Sequence, residues 1–214
     1  TEKQFPPRIY DIVTTEATYT PSAGNELFGL LPTTIYKQEL TLNNHGTYTI
    51  YSSSSTSPTA NQFKNELFKF DNSIAVGGAY WGTASYSGGL YINANRRIKS
   101  DYYGDWIIVK LPYKIVLTRF RFYNNNPFSV ANINKAPGTW KCYGSNDGIN
   151  FTEITEAGNF HNCLTVNNYS LGYYEDIIPS TFDIPYLYIG WVINALVGST
   201  AAIPADVAAA IALN

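Results

Sequence analysis

Residues Trp140 to Ile154 read WKCYGSNDGINFTEI, and the pattern of this stretch decides the fold. Trp140 and Cys142 alternate with Lys141 and Tyr143, and the run from Phe151 to Ile154 alternates in the same way. Period-two alternation puts successive side chains on opposite faces of a strand. Between the two runs, Asp147-Gly148 supplies residues that tolerate a positive φ, as a tight turn between antiparallel strands requires. The stretch is predicted to be a β-hairpin.

On either side the text is also strand-like. GDWIIVKLPYKIVLTRFRFYNNN (residues 104–126) is predicted to form two strands separated at Pro112. In the first, Trp106, Ile108 and Lys110 alternate with Ile107, Val109 and Leu111, so one face is wholly apolar. In the second, Val116, Thr118, Phe120 and Phe122 form one face and Arg119, Arg121 and Tyr123 the other. FDIPYLYIGWVINALVG (residues 182–198) is apolar on both faces, as befits a central strand covered from both sides. Nearer the start, YKQELTLNN and GTYTIYSSSS give two strand-like runs around the turn Asn43-Asn44-His45-Gly46.

These readings predict an all-β chain, an antiparallel β-sandwich. At 214 residues it is long for one sandwich and short for two ordinary domains. Residues 1–35, broken by Pro6-Pro7, Pro21 and Pro32, are expected to be an irregular N-terminal arm or linker, and 36–214 the sandwich domain. The tail AAIPADVAAAIALN favours a short helix by propensity, with a closing strand as the alternative. Thr1 stands first with no basic and apolar leader after it, so the chain is expected to be processed or a piece of something longer.

Composition narrows the function. Charged residues are 14% and the net charge is -2, too little positive surface to condense on phosphates, so nucleic acid is not an expected partner. The apolar run nearest to membrane length is interrupted by Gly190 and Asn194. Aromatic residues reach 15%, with 18 Tyr and no Met; such rings suit half-buried strands and flat ligand platforms. Cys142 and Cys163 are the only cysteines, and a bridge between them and two buried thiols are equally compatible with their positions.

Catalytic signatures are thin. His45 lies in a turn and His161 in a polar loop, neither at a spacing used in nucleophilic or metal catalysis. The acidic residues are scattered, and Gly77-Gly78 and Gly88-Gly89 read as turn glycines rather than a phosphate cradle. The chain is not expected to be an enzyme.

The hairpin, W-x-x-x-G-S-x-D-G-x-N-F-x-x-I in this sequence, closely resembles that of the discoidin domain, also called F5/8 type C and related to the galactose-binding-like family 32 carbohydrate-binding modules. Further likeness runs through Phe70-Asp71, through Trp81-Gly82-Thr83 and through the strand pair at Trp106 to Phe122, covering roughly residues 36 to 198. The family's closing strand with its glutamate has no match here. The resemblance implies a jelly-roll β-sandwich that recognises ligands through loops at one end. There an aromatic ring stacks on the apolar face of a sugar while Arg, Asn or His reads the hydroxyls.

By that reading the ligand-binding candidates are Tyr80, Tyr86, Tyr91, Asn93, Arg96 and Arg97 in one aromatic, Gly-rich loop, then Tyr102 and Tyr103. Asn125, Phe128, His161, Tyr173 and Tyr174 complete the set. Tyr102, Tyr103 and Phe128 stand among Asn and Gly with no obvious apolar neighbours, whereas Trp81 at the family position is usually core. The resemblance also implies a structural calcium at Asp71, with Asn72 and Ser73 adding oxygens; Asp71 capping a turn is the plainer alternative.

The expected function is thus non-catalytic recognition of a glycan or glycoprotein, as in cell adhesion, within an extracellular or particle-surface assembly such as a virion. The alternative is a structural capsid, fibre or matrix component, self-assembling or meeting neighbouring subunits through the N-terminal arm. Binding to membrane lipid, known among similar domains, is not expected, because Phe128 would be an apolar spike without a basic ring around it.

Overall fold

A computed structural model describes residues 35–42, 45–53, 85–99, 102–123, 134–154, 161–162 and 173–198. All of the expected arm 1–35 except Ile35, which is fully buried, lies outside them, as do the calcium candidates Asp71, Asn72 and Ser73, the ligand candidates Tyr80, Asn125 and Phe128, Cys163 and the tail from 199. Eleven strands carry the described chain: β1 (Tyr36–Leu42), β2 (Gly46–Ser52), β3 (Tyr86–Ser87), β4 (Leu90–Tyr91), β5 (Asp105–Ile115), β6 (Arg119–Tyr123), β7 (Pro137–Ser145), β8 (Thr152–Glu153), β9 (His161–Asn162), β10 (Tyr173–Ile177) and β11 (Tyr186–Leu196). Every pairing among them is antiparallel.

The main sheet runs β1-β2-β5-β11, with β7 on the other side of β11 and the short β4-β3 hairpin at the end of β11. β11 lies between β5 and β7, so both of its edges are paired, and eight of its eleven residues are buried. This is the two-sided apolar pattern expected of a central strand. The second layer is the β6-β10 pair, in which Phe122 stands opposite Tyr174 and Arg121 opposite Glu175.

Strand alternation sorts the core into two clusters. On one face of the main sheet lie Ile107, Val109, Trp140, Cys142, Ile189, Trp191 and Ile193, covered by Phe120, Phe122 and Tyr174 of the second layer. On the opposite face lie Trp106, Ile108, Tyr143, Tyr188 and Val192, packed with Ile98 and Tyr102 from the segment between β4 and β5. Cys142 is a free, fully buried thiol, and burial pushes its pKa well above the ordinary value.

Two sequence expectations change. Pro112 does not separate two strands: β5 continues through it to Ile115, and the break falls at Val116–Thr118. On the β11 side the register shifts between Tyr188↔Lys110 and Tyr186↔Ile115, so Pro112 sits in an irregular stretch where the ladder needs no N–H from it. The shift also lets Tyr186 join the same cluster as Ile189, its ring lying where a Cβ at Gly144 would stand within 2.4 Å.

The hairpin of β7 and β8 forms, pairing Tyr143 with Glu153 and Gly144 with Thr152. Its connection is longer than a two-residue turn, spanning Asn146 to Phe151. Gly148 has φ 74°, as its position required. Asp147 acts through its carboxylate, which accepts from the backbone N–H of Ile149 and of Asn150, both at 2.8 Å, and from Asn150 Nδ2 at 2.7 Å. These bonds hold the Asp147 carboxyl well below the usual carboxylate range.

Candidate functional site

The segment from Ser85 to Asp105 gathers seven of the sequence-selected residues in one place. It begins as the β3-β4 hairpin, whose turn uses Gly88 (φ 56°) and Gly89 (φ 84°), and it crosses to β5 over the second face of the main sheet. An irregular cover of this kind must bind its backbone polar groups by something other than a ladder. Here the Ile92 N–H donates to the Ser85 carbonyl at 3.1 Å, and a buried charge anchors the side chains beneath.

Asp105, fully buried at the start of β5, forms an ion pair with Arg96 Nη1, which also donates to Ser85 Oγ at 2.9 Å. Ser53 Oγ donates to Asp105 Oδ1 at 3.0 Å and accepts from the Trp106 N–H at 2.9 Å. A carboxylate is tolerated in such a place only when it is paired and hydrogen-bonded, and Arg96 with Ser53 meets that need. The Gly104 N–H donates to the Arg96 carbonyl at 3.0 Å and closes the loop 96–104. Any Cβ at Gly104 would meet the Ile193 carbonyl oxygen at 2.1 Å, so only glycine allows the loop to lie this close to β11.

Several candidates are therefore turned inward. Tyr86 Oη donates to the Ile193 carbonyl at 3.0 Å, and burial raises its pKa well above 10. Arg96 holds Asp105. Tyr102, expected to lack apolar neighbours, is only 6% exposed within the second core cluster, and Lys141 Nζ lies 5.2 Å from its ring centroid. Tertiary packing supplied neighbours that adjacent sequence did not show. Tyr174, in the other layer, sets its ring edge-on to Trp140 at 5.1 Å and belongs to the packing of the first face.

The outward groups are fewer. Tyr91 packs edge-on to Tyr86 at 5.5 Å and its hydroxyl donates to Asn95 Oδ1 at 2.7 Å; burial pushes its pKa up to about 12, so that donor keeps its proton at neutral pH. Ile92, Asn93, Ala94 and Asn95 are exposed. Arg97 lies 5.6 Å from the Tyr103 ring centroid, and its Nη1 donates to Tyr103 Oη at 3.2 Å. Asn194 Nδ2 donates to the Tyr103 carbonyl at 2.7 Å, a support on β11 that the sequence did not flag, since a lone Asn in an apolar strand reads as an interruption.

Two other candidates stand elsewhere. His161 pairs with Trp140 through β9, and Tyr173 with Tyr123 through β10, so neither shares a strand or loop with the 85–105 segment. His45, at the β1-β2 turn, has both ring nitrogens engaged, Nδ1 with Tyr48 Oη at 3.0 Å and Nε2 with Tyr113 Oη at 2.7 Å. Burial lowers its pKa. Among the described residues no group of three or more His, Cys, Asp or Glu is placed to hold a metal, and no helix is long and apolar enough to cross a membrane.

No protein-family model matches this sequence, nor does any curated protein. Among solved structures, the chain is similar to CpGH89CBM32-5 from Clostridium perfringens, in complex with GalNAc-β-1,3-galactose, at TM-score 0.34 and 15% identity over 45% of this chain and 59% of that one. It is also similar to CBM32-3 from a family 31 glycoside hydrolase of Clostridium perfringens, at TM-score 0.32 and 22% identity over 44% of this chain and 56% of that one. The aligned part thus spans less than two thirds of either structure. The fold assignment rests on the strand pairing and the two packed faces themselves.

Proposed function

We propose that the chain is a non-catalytic glycan-recognition module of an extracellular or particle-surface assembly, and that its ligand site is formed by the outward groups of residues 91–99 together with Tyr103. The observation that carries this reading is a division of labour within one short loop. Arg96 is committed to the buried Asp105, while Asn93 stays exposed and Arg97 with Tyr103 forms a half-buried, hydrogen-bonded pair.

Sugars present hydroxyls that need directional donors and acceptors, and a C–H face that suits a flat ring. Tyr91 and Tyr103 supply rings, and Asn93 and Arg97 supply hydrogen-bonding groups. The ion pair beneath fixes the backbone before ligand arrives, which lowers the entropy lost on binding. A single site of this size is expected to bind weakly, so repeated copies would raise avidity.

The test is a glycan array probed with multivalent wild-type protein and with Tyr91→Ala and Asn93→Ala. Signals to a defined sugar class that fall at least about tenfold in either variant, with an unchanged melting temperature, support the site. An array that stays silent at high valency refutes glycan recognition and favours the structural capsid, fibre or matrix component.

A further inference from the structure

We infer that the ligand of this site carries a carboxylate or sulfate on its sugar, and that Arg97 is the group that reads the anion. The inference rests on the glycan reading and deepens it. The starting point is an asymmetry between neighbours in sequence. Arg96 and Asp105 neutralise each other inside the fold, whereas Arg97 makes no ion pair among the described residues. It lies 5.6 Å from the Tyr103 ring centroid and gives one hydrogen bond, from Nη1 to the Tyr103 hydroxyl.

A guanidinium has five N–H donors in a planar fork. One is used here, so an edge matched to two oxygens of a carboxylate or sulfate stays open. The pair is also pre-set. The Gly104 N–H to Arg96 carbonyl bond ties together the residues next to Arg97 and Tyr103, and Asn194 holds the Tyr103 main chain from β11. A neutral sugar would offer Arg97 hydroxyl oxygens but no charge to pair with its own.

The test uses the intact chain against sugars differing only at C6: galactose, galacturonic acid and galactose 6-sulfate, together with lactose and 3′-sialyllactose, displayed on one array at low ionic strength. The acidic member of a matched set is expected to bind about 5- to 10-fold tighter than the neutral one. Raised salt is expected to shrink the difference. Carboxylate and sulfate arms show which anion the fork prefers. Arg97→Gln should erase the preference, bringing acidic and neutral partners to about the same affinity, and Arg97→Lys, which keeps the charge but not the fork, should restore it in part. Equal binding of neutral and acidic partners, or a preference that survives Arg97→Gln, overturns the anion inference and leaves glycan recognition standing. Binding to none of these sugars, with a silent general array, overturns both.

Discussion

The main sheet is closed on its two faces by different means. On the first face a second layer of strands lays Phe120, Phe122 and Tyr174 edge-on against Trp140 and Trp191, with ring centroids 5.1 to 6.5 Å apart. On the second face an irregular segment lies across Trp106, Ile108 and Val192, contributing Ile98 and Tyr102 to the core and anchored at its edge by Arg96 and Asp105. Apolar interdigitation needs no directional partner, so the first cover can be regular and sealed. A loop must satisfy its own backbone, and the polar anchors that do so also aim its remaining side chains outward. The second cover is where recognition chemistry can be mounted.

The contrast can be broken most forcefully on the first face. Trp140 is fully buried, meets three aromatic rings and donates from Nε1 to Asp176 Oδ2 at 3.2 Å. Trp140→Ala is expected to cost about 3 to 5 kcal/mol in denaturant unfolding, through the cavity and the loss of a partner for a buried carboxylate. A loss below about 1 kcal/mol would show that the aromatic layer does not hold this face.

On the second face, Asp105→Ala leaves Arg96 without its carboxylate and should cost about 3 kcal/mol, with amide exchange rising first in residues 92–104. Uniform loosening of both covers would contradict the separation drawn here. A smaller change probes the fit of the loop to the sheet. Gly190 on β11 faces Ile98, whose Cδ1 would lie 2.7 Å from a new Cβ, and Ile108 Cγ1 would lie at 2.9 Å. Gly190→Ala is expected to cost about 1 to 2 kcal/mol and to weaken ligand binding by lifting the loop, whereas β6 and β10 keep their exchange protection.

The smallest effect is one of pH. Asp147 has its carboxyl depressed by the turn's hydrogen bonds, so its contribution is fully present above the ordinary pKa of 3.8 and is lost as pH falls through the folded value. Acid should loosen the β7-β8 turn and, through Phe151, the second cover before the first. Asp147→Ala should lower the melting temperature at neutral pH and flatten its decline below about pH 4. An unchanged acid profile in that variant would remove Asp147 as the cause.

How much of this was legible in the text depends on whether a pattern or a partner carried it. Alternation in Trp140 to Tyr143 and in Arg119 to Phe122, and the two-sided apolar run from Tyr186, correctly gave strands and the faces they bury. Pro112 misled because its missing donor argues against a ladder only where the ladder asks for one, and a register shift on β11 removed that demand. The loop residues were found as a group by composition. Which of them touch the interior was not visible, because Tyr86 and Arg96 are held by Ile193 and Asp105, 107 and 9 positions away, and Tyr102 packs among Trp106, Ile108, Tyr143 and Val192.

By itself, then, the sequence determined that the chain folds as strands, where the β7-β8 hairpin bends, and which stretch is rich enough in rings and amides to meet a ligand, since period, turn chemistry and composition are local properties of neighbouring residues. Only the tertiary structure decided that Arg96 is spent on a buried carboxylate while Arg97 is left facing outward. Two adjacent arginines are chemically identical in the text, and what separates them is a partner brought to one and not the other by the path of the backbone over the sheet.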